Sequence, residues 1–348
     1  MIHPPIIDGH NDVLLRLWLK KSARAAEDFV EGDGLGHMDL PRIKAGQMAG
    51  GFFAIFSPSQ ADYHHDDDDL NPPYDAGVAQ KTALASAEGM LDLRDRIVAL
   101  AKGDVLLCET AAEMRGAMNA GKLGWITHIE GAEAIAPDLS NVQALYDRGL
   151  RSIGPVWSRS NAFGEGVPFR FPSSPDTGGG LTDAGKALVR ECNRLRIMID
   201  VSHLNERGFW DVAALSSAPL VATHSNAHAL SASSRNLTNE QLLAIRESGG
   251  MVGLNYATGF LRSDGRWDSL TDVSVMISHV QHLIQYAGVD CVGLGSDFDG
   301  ARIPAVIGSV TGVTKLLDAL VGAGLGAALV EKIAHGNWLR VLERTWGR

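Results

Sequence analysis

Five short segments of this 348-residue chain each place an imidazole or a carboxylate at the end of an apolar run. The first is Asp8-Gly9-His10-Asn11-Asp12, where strand alternation puts Asp8, His10 and Asp12 on one face. The others are His128-Ile129-Glu130-Gly131, Asp200-Val201-Ser202-His203, Thr223-His224-Ser225-Asn226 and Gly295-Ser296-Asp297-Phe298-Asp299-Gly300. One His or Asp beside a strand is ordinarily a satisfied polar group. Five such ends turned into one bowl would desolvate and repel one another unless a cation lay between them. Imidazole and carboxylate donors without thiolates suit zinc or its first-row neighbours in a catalytic site. Six candidate ligands exceed what one tetrahedral ion takes, and two ions sharing a carboxylate accommodate them.

Positioning such groups requires a scaffold that ends many strands at one rim. Eight apolar runs, most rich in Ile, Val and Leu, are present at 5–7, 51–56, 124–129, 151–156, 197–201, 219–223, 250–255 and 291–295. Near-continuous apolar runs are what strands buried on both faces look like. Helical spacing intervenes, as at 187–195 and at 240–246, where Thr238 or Asn239 is the expected N-cap. The alternation predicts an α/β fold, a (β/α)8 TIM barrel forming a single domain over 1–348, with its site at the C-terminal rim. An open doubly wound sheet is the alternative, but no Gly-rich phosphate turn follows the first run. Inserts at about 57–74 and 158–180 interrupt the pattern. The first carries the acidic run 66–69 with His64 and His65 and reads as a solvated loop; the second, rich in Gly, Pro, Ser and Phe, is placed to wall the site.

Composition bounds the function. With Lys+Arg 31 against Asp+Glu 41, the net charge of −10 argues against a nucleic-acid binder, and 45% hydrophobic residues argue against disorder. Cys108, Cys192 and Cys291 form no CxxC pair, so neither a disulfide framework nor a thiolate metal knuckle is expected. No apolar stretch reaches the roughly 20 residues of a membrane span, and no secretory signal is visible at 1–12. A soluble, cytoplasmic chain is expected.

The ordered set of segments, with Ile199-Asp200-Val201-Ser202-His203 and Ser234-Arg235-Asn236 included, resembles the membrane (renal-type) dipeptidase family of the amidohydrolase superfamily over nearly the whole chain. The resemblance implies that His10 and Asp12 bind one zinc with Asp297 beside it, that His203 and His224 hold a second, and that Glu130 bridges the two. It implies a dipeptide substrate whose terminal carboxylate is gripped by Arg235, suited to two parallel bonds. Hydrolysis would use a metal-bridging hydroxide, with Asp297 and Glu130 as the catalytic carboxylates. Similar enzymes are often dimers, so a homodimer is possible. One departure stands out. Renal-type enzymes carry a histidine at the end of the fourth strand, where this chain has Trp157; an indole cannot carry positive charge. Trp157 then reads as a pocket wall, with Arg159 or Asn161 as candidates for the carbonyl.

Smaller readings follow from position. His128 lies one layer below Glu130 as a buried barrel histidine or a support to the ligands, Asp8 orients the cluster from below, and Asp299 either supports the ligands or is structural. Ser202 and Ser225 lack a nucleophile elbow. The segment 332–345, with His335 and Trp338, is a helix packed on the barrel. Rival functions are hydrolysis of another small amide, such as an N-acyl amino acid or a β-lactam, and a metal-binding scaffold without turnover.

Overall fold

Runs apolar on both faces can be buried only between a core and a coat of helices, and every one of the eight becomes a strand. The computed structural model describes residues 3–59 and 77–347. Its strands are β1 (Ile6–Asn11), β2 (Met48–Phe56), β3 (Val105–Leu107), β4 (Leu123–Glu130), β5 (Leu150–Gly154), β6 (Met198–Ile199), β7 (Val221–Ala222), β8 (Met251–Leu254) and β9 (Val292–Leu294). All named pairings are parallel, in the order β6-β5-β4-β2-β1-β9-β8-β7. The ring closes between its two ends, where Asp200 bridges Val221 and the Val201 amide donates to the Val221 carbonyl at 2.8 Å. The expected single-domain (β/α)8 barrel is therefore present. β3 was not expected; it pairs only with the start of β4, outside the ring, and Leu106 at its centre is exposed.

The helices carry the anticipated punctuation. Thr238, one of the two expected candidates, caps the helix Asn239–Ser248 in a capping box with Gln241, and left-handed Gly249 ends it. The helix expected at 187–195 spans Asp183–Leu195, with Thr182 as its cap. The segment at 332–345 resolves into a π-helical turn, Lys332–Gly336, and a helix, Asn337–Trp346. The insert at 158–180 lies across the barrel mouth through single bridges such as Gly166 to Leu204. Most of the other insert, including the acidic run 66–69 with His64 and His65, lies outside the described residues.

Inside the ring the side chains change character with height, as the period of two along β4 makes visible. Ile126 sits lowest, His128 one layer up and Glu130 at the rim, all on one face. Ile7, Phe52, Ile126, Met198, Val221 and Met251 form an apolar floor, sealed from below by Trp338. The Trp338 indole is fully buried, donates to the Leu294 carbonyl at 3.0 Å, and packs 5.0 Å from the Phe52 ring. Gly9 is required above it, since any Cβ there would collide with the Thr223 carbonyl and the Trp338 ring. Removing this plug leaves a large cavity under the site. Trp338→Ala is expected to lower stability by about 3–5 kcal/mol, read from the denaturant midpoint of the purified protein.

Candidate metal centre

The rim gathers all six of the anticipated ligands. His10 and Asp12 leave the end of β1, Glu130 ends β4, His203 and His224 follow β6 and β7, and Asp297 follows β9. Each is at most 9% exposed. Glu130 is the hub: its Oε1 lies 2.9 Å from His203 Nε2 and 3.5 Å from both His10 Nε2 and His224 Nε2. His10 Nε2 is 3.3 Å from Asp12 Oδ2, and the His10 and His224 rings stack at 3.8 Å. Ligand atoms of His10, Asp12 and Glu130 lie within 4.8 Å of one another, as do those of Glu130, His203 and His224, and those of His10, His224 and Asp297.

Local backbone chemistry aims these groups. The Asp297 amide donates to the His10 carbonyl and the Asp12 amide to the Phe298 carbonyl, lacing the first and last strand ends together. Asp297 and Asp299 both adopt left-handed backbone, at φ of 61° and 66°, a conformation that aspartate tolerates better than most residues. Asp299 is held by Arg16 Nε at 2.9 Å and by the His37 amide at 2.6 Å, which makes it structural, as expected. Gly300 then passes so close to Asp12 and Asp297 that no side chain fits. Asn255, at the end of β8, donates to Asp297 Oδ2 at 3.0 Å.

Beneath the rim lies a polar layer. Asp8 accepts from the Ser296 amide at 2.7 Å and from its hydroxyl at 2.9 Å, so it supports the last strand end rather than facing an ion. Asp200 Oδ1 accepts from Ser202 and from the Thr223 amide, while its Oδ2 accepts from the Thr223 hydroxyl, which in turn lies 2.8 Å from His224 Nδ1. His128 Nδ1 meets Ser152 Oγ at 3.0 Å, with its Nε2 3.6 Å from Asp200. Ser158 Oγ meets His203 Nδ1 at 2.7 Å. Sequence reasoning assigned no role to Asn255, Ser158 or Thr223; neutral polar residues at strand ends give no signal by type alone.

The electrostatics are those of a site short of positive charge. Burial opposes ionisation of His10, yet Glu130, Asp12 and Asp297 outweigh it and push its pKa up to about 10. Burial, reinforced by Asp12 and Asp297 against the pull of His10, holds Glu130 well above the usual carboxylate range. Burial and Asp12 also raise Asp297. Burial, then the charges of Arg235 and His10, keep His203 and His224 well below the ordinary imidazole value. Among the described residues, neither ring nitrogen of His10 has a hydrogen-bond partner despite complete burial. Bare imidazole nitrogens turned onto carboxylates, with no thiol nearby, fit a divalent cation of the zinc type.

Arg235 reaches the cluster from behind. It is 2% exposed, donating from Nη1 to Ser225 Oγ at 2.8 Å and from Nη2 to the His224 carbonyl at 3.0 Å, with Nε 3.2 Å from His203 Nδ1. Above the ligands a cavity of about 150 Å³ is lined by Asp12, Glu130 and Asp297 and by Phe56, Trp157 and Trp267, among others. Trp157 is a wall residue, as expected. Arg159 and Asn161 are engaged within the loops: Arg159 is buried on Glu133 at 2.8 Å, and Asn161 Nδ2 donates to the Pro155 carbonyl. Both hold the loop in place.

Among the described residues no helix is long and apolar enough to cross a membrane. A family model described as membrane dipeptidase, peptidase family M19, matches residues 1–346. An uncharacterized protein in the pqqA 5′ region of Klebsiella pneumoniae is 46% identical over 256 residues, covering 74% of this chain and 94% of its own. A solved metallopeptidase of family M19, dipeptidase AC, superposes with a TM-score of 0.96 at 51% identity over 100% of both chains. A metallopeptidase from Rhodobacter sphaeroides, solved with a phosphinate mimic of the dipeptide L-Ala-D-Ala, gives the same TM-score of 0.96 and 51% identity over 99% of this chain and 100% of its own. A barrel whose strand ends carry this donor set, matched along its length by that family model, places the chain in the membrane dipeptidase family of metallopeptidases.

Proposed function

We propose that this dipeptidase holds two zinc ions, one on His10, Asp12 and Glu130 and one on Glu130, His203 and His224, with Asp297 beside them. The observation that carries the reading is the convergence of three buried carboxylates and three imidazoles on one point. When bound, such a pair would polarise the peptide carbonyl and ease deprotonation of water at neutral pH.

The chain's own residues do the rest. Arg235 fixes the terminal carboxylate of the dipeptide, and a planar fork sets its register. Asn255 occupies Asp297 Oδ2, which leaves Oδ1 to accept the proton of the attacking water and to return it to the leaving amine nitrogen as the C–N bond breaks. Trp157 and Phe56 exclude bulk water from one side. When His203 Nε2 acts as a ligand, its Nδ1 keeps the proton and gives it to Ser158, so Arg235 loses that acceptor. We also place the enzyme in the cytoplasm, where Cys108, Cys192 and Cys291, all buried and unpaired, stay reduced.

The direct test is a panel of dipeptides and N-acyl amino acids with metal-replete protein. Cleavage of dipeptides is expected; turnover of the acyl amino acids alone would refute the substrate assignment. Asp297→Asn should cut kcat by at least about a hundredfold, with a changed pH profile and bound metal retained in elemental analysis. Arg235→Lys, which keeps the charge but loses the fork, should lower kcat/KM by about ten- to a hundredfold, chiefly through KM. Metal binding should depend on pH in a defined direction. In the metal-free protein His10 holds a proton up to about pH 10, and ligation needs that lone pair. Loading at neutral pH should therefore release at least about one proton per chain, and affinity should fall about tenfold per released proton for each pH unit of acidification. Calorimetric titrations in buffers of different ionisation heat read this directly; no proton release would contradict the assignment of His10.

A further inference from the structure

The cavity over the ligands has an aromatic wall built from the segment that follows β8. Trp267 packs edge-to-face on Phe260 at 5.1 Å, and Phe260 packs on Phe169 at 5.2 Å. Phe169 continues to Trp157 at 5.5 Å, and Trp157 to Phe56 at 5.1 Å. The backbone of the half-buried Trp267 is held in place. Arg302 Nη1 donates to the Trp267 carbonyl at 2.7 Å, while the Arg302 carbonyl accepts from the Thr258 amide at 2.9 Å. Gly259 runs so close to the indole that a Cβ would stand 2.5 Å from a ring atom. The ring therefore has no room to retreat. Phe260, its partner, also lies 5.8 Å from the Arg235 guanidinium, which puts this wall on the carboxylate side of the cavity.

We propose that Trp267, pinned by Gly259 and Arg302, is the residue that limits the side chain of the substrate's C-terminal amino acid to short groups. The proposal rests on the dipeptidase reading and on Arg235 as the carboxylate anchor. A side chain pressed against a wall that cannot move must fit the space already there, about 150 Å³ for the whole cavity.

The test compares kcat/KM of the metal-loaded enzyme on two series, Ala-X and X-Ala, with X running through Gly, Ala, Val, Leu and Phe in both configurations. In the wild type, kcat/KM should fall from Ala to Leu and Phe in the Ala-X series. Trp267→Ala should raise the Leu-to-Ala ratio there by at least about tenfold, with a smaller change in X-Ala. Trp267→Phe should stay nearer the wild-type ratio, and Gly259→Ala, which displaces the indole without removing it, should shift the same ratio. A uniform loss across all X with the ratio intact would overturn the proposal, because a merely structural role produces that result. A shift confined to the X-Ala series would equally overturn it. Failure of the wild type on every member of both series would refute the dipeptidase reading itself, before any variant is compared.

Discussion

The dominant constraint is a concentration of negative charge where water cannot reach it. Asp12, Glu130 and Asp297 lie buried in one bowl, and among the described residues the permanent cation in direct contact with their histidine neighbours is Arg235. Charges taken out of water are tolerated only when something of opposite sign is held among them in good geometry. The upward pull on His10 and the raised carboxylates of Glu130 and Asp297 are two expressions of the same deficit. A fold that meets the deficit with divalent cations gains a polarising centre at the place where the strain is greatest.

Holding six ligands around such a point demands more than strand ends. Three of the six candidate ligands rest on a second residue that fixes their direction: His224 on Thr223, His203 on Ser158 and Asp297 on Asn255. Asp8 ties the backbone of Ser296, and Asp200 ties β6 to β7 where the ring closes. The polar layer between the rim and the apolar floor is thus the means by which a barrel interior, usually filled with branched apolar side chains, is given over to aiming ligands. Two left-handed aspartates in a row of three residues are retained for the same purpose, and Arg16 and His37 clamp the second of them.

How much of this the sequence discloses follows from which residues carry an unambiguous physical signal. The eight ring strands are legible because burial on both faces forces continuous apolar runs, whereas β3 is three residues long, half exposed and paired on one side only, so nothing marks it. The six candidate ligands stand out in the sequence because ionisable side chains at apolar strand ends are anomalous wherever they recur. Their supports are Ser, Thr and Asn, which are ordinary at such ends and reveal themselves only through contacts across the barrel. Arg159 misleads because its partner, Glu133, is in another loop; an arginine near a site is read as available until its carboxylate is found. Trp267 is silent for the opposite reason, since an aromatic residue in a polar loop resembles many others until Gly259 is seen beneath it.

The arrangement of Arg235 explains why an arginine, and not a lysine, suits this position. Its two terminal nitrogens donate to different groups on the segment that carries His224: the Ser225 hydroxyl and the His224 carbonyl. The part of the molecule that would recognise the substrate's end is therefore bonded to the part that orients the ligands. A lysine ammonium is a point charge on a flexible stem and could not span those partners while still presenting a face to a carboxylate. If Arg235 anchors the substrate's carboxylate as proposed, substrate register and ligand geometry would be set by one rigid group.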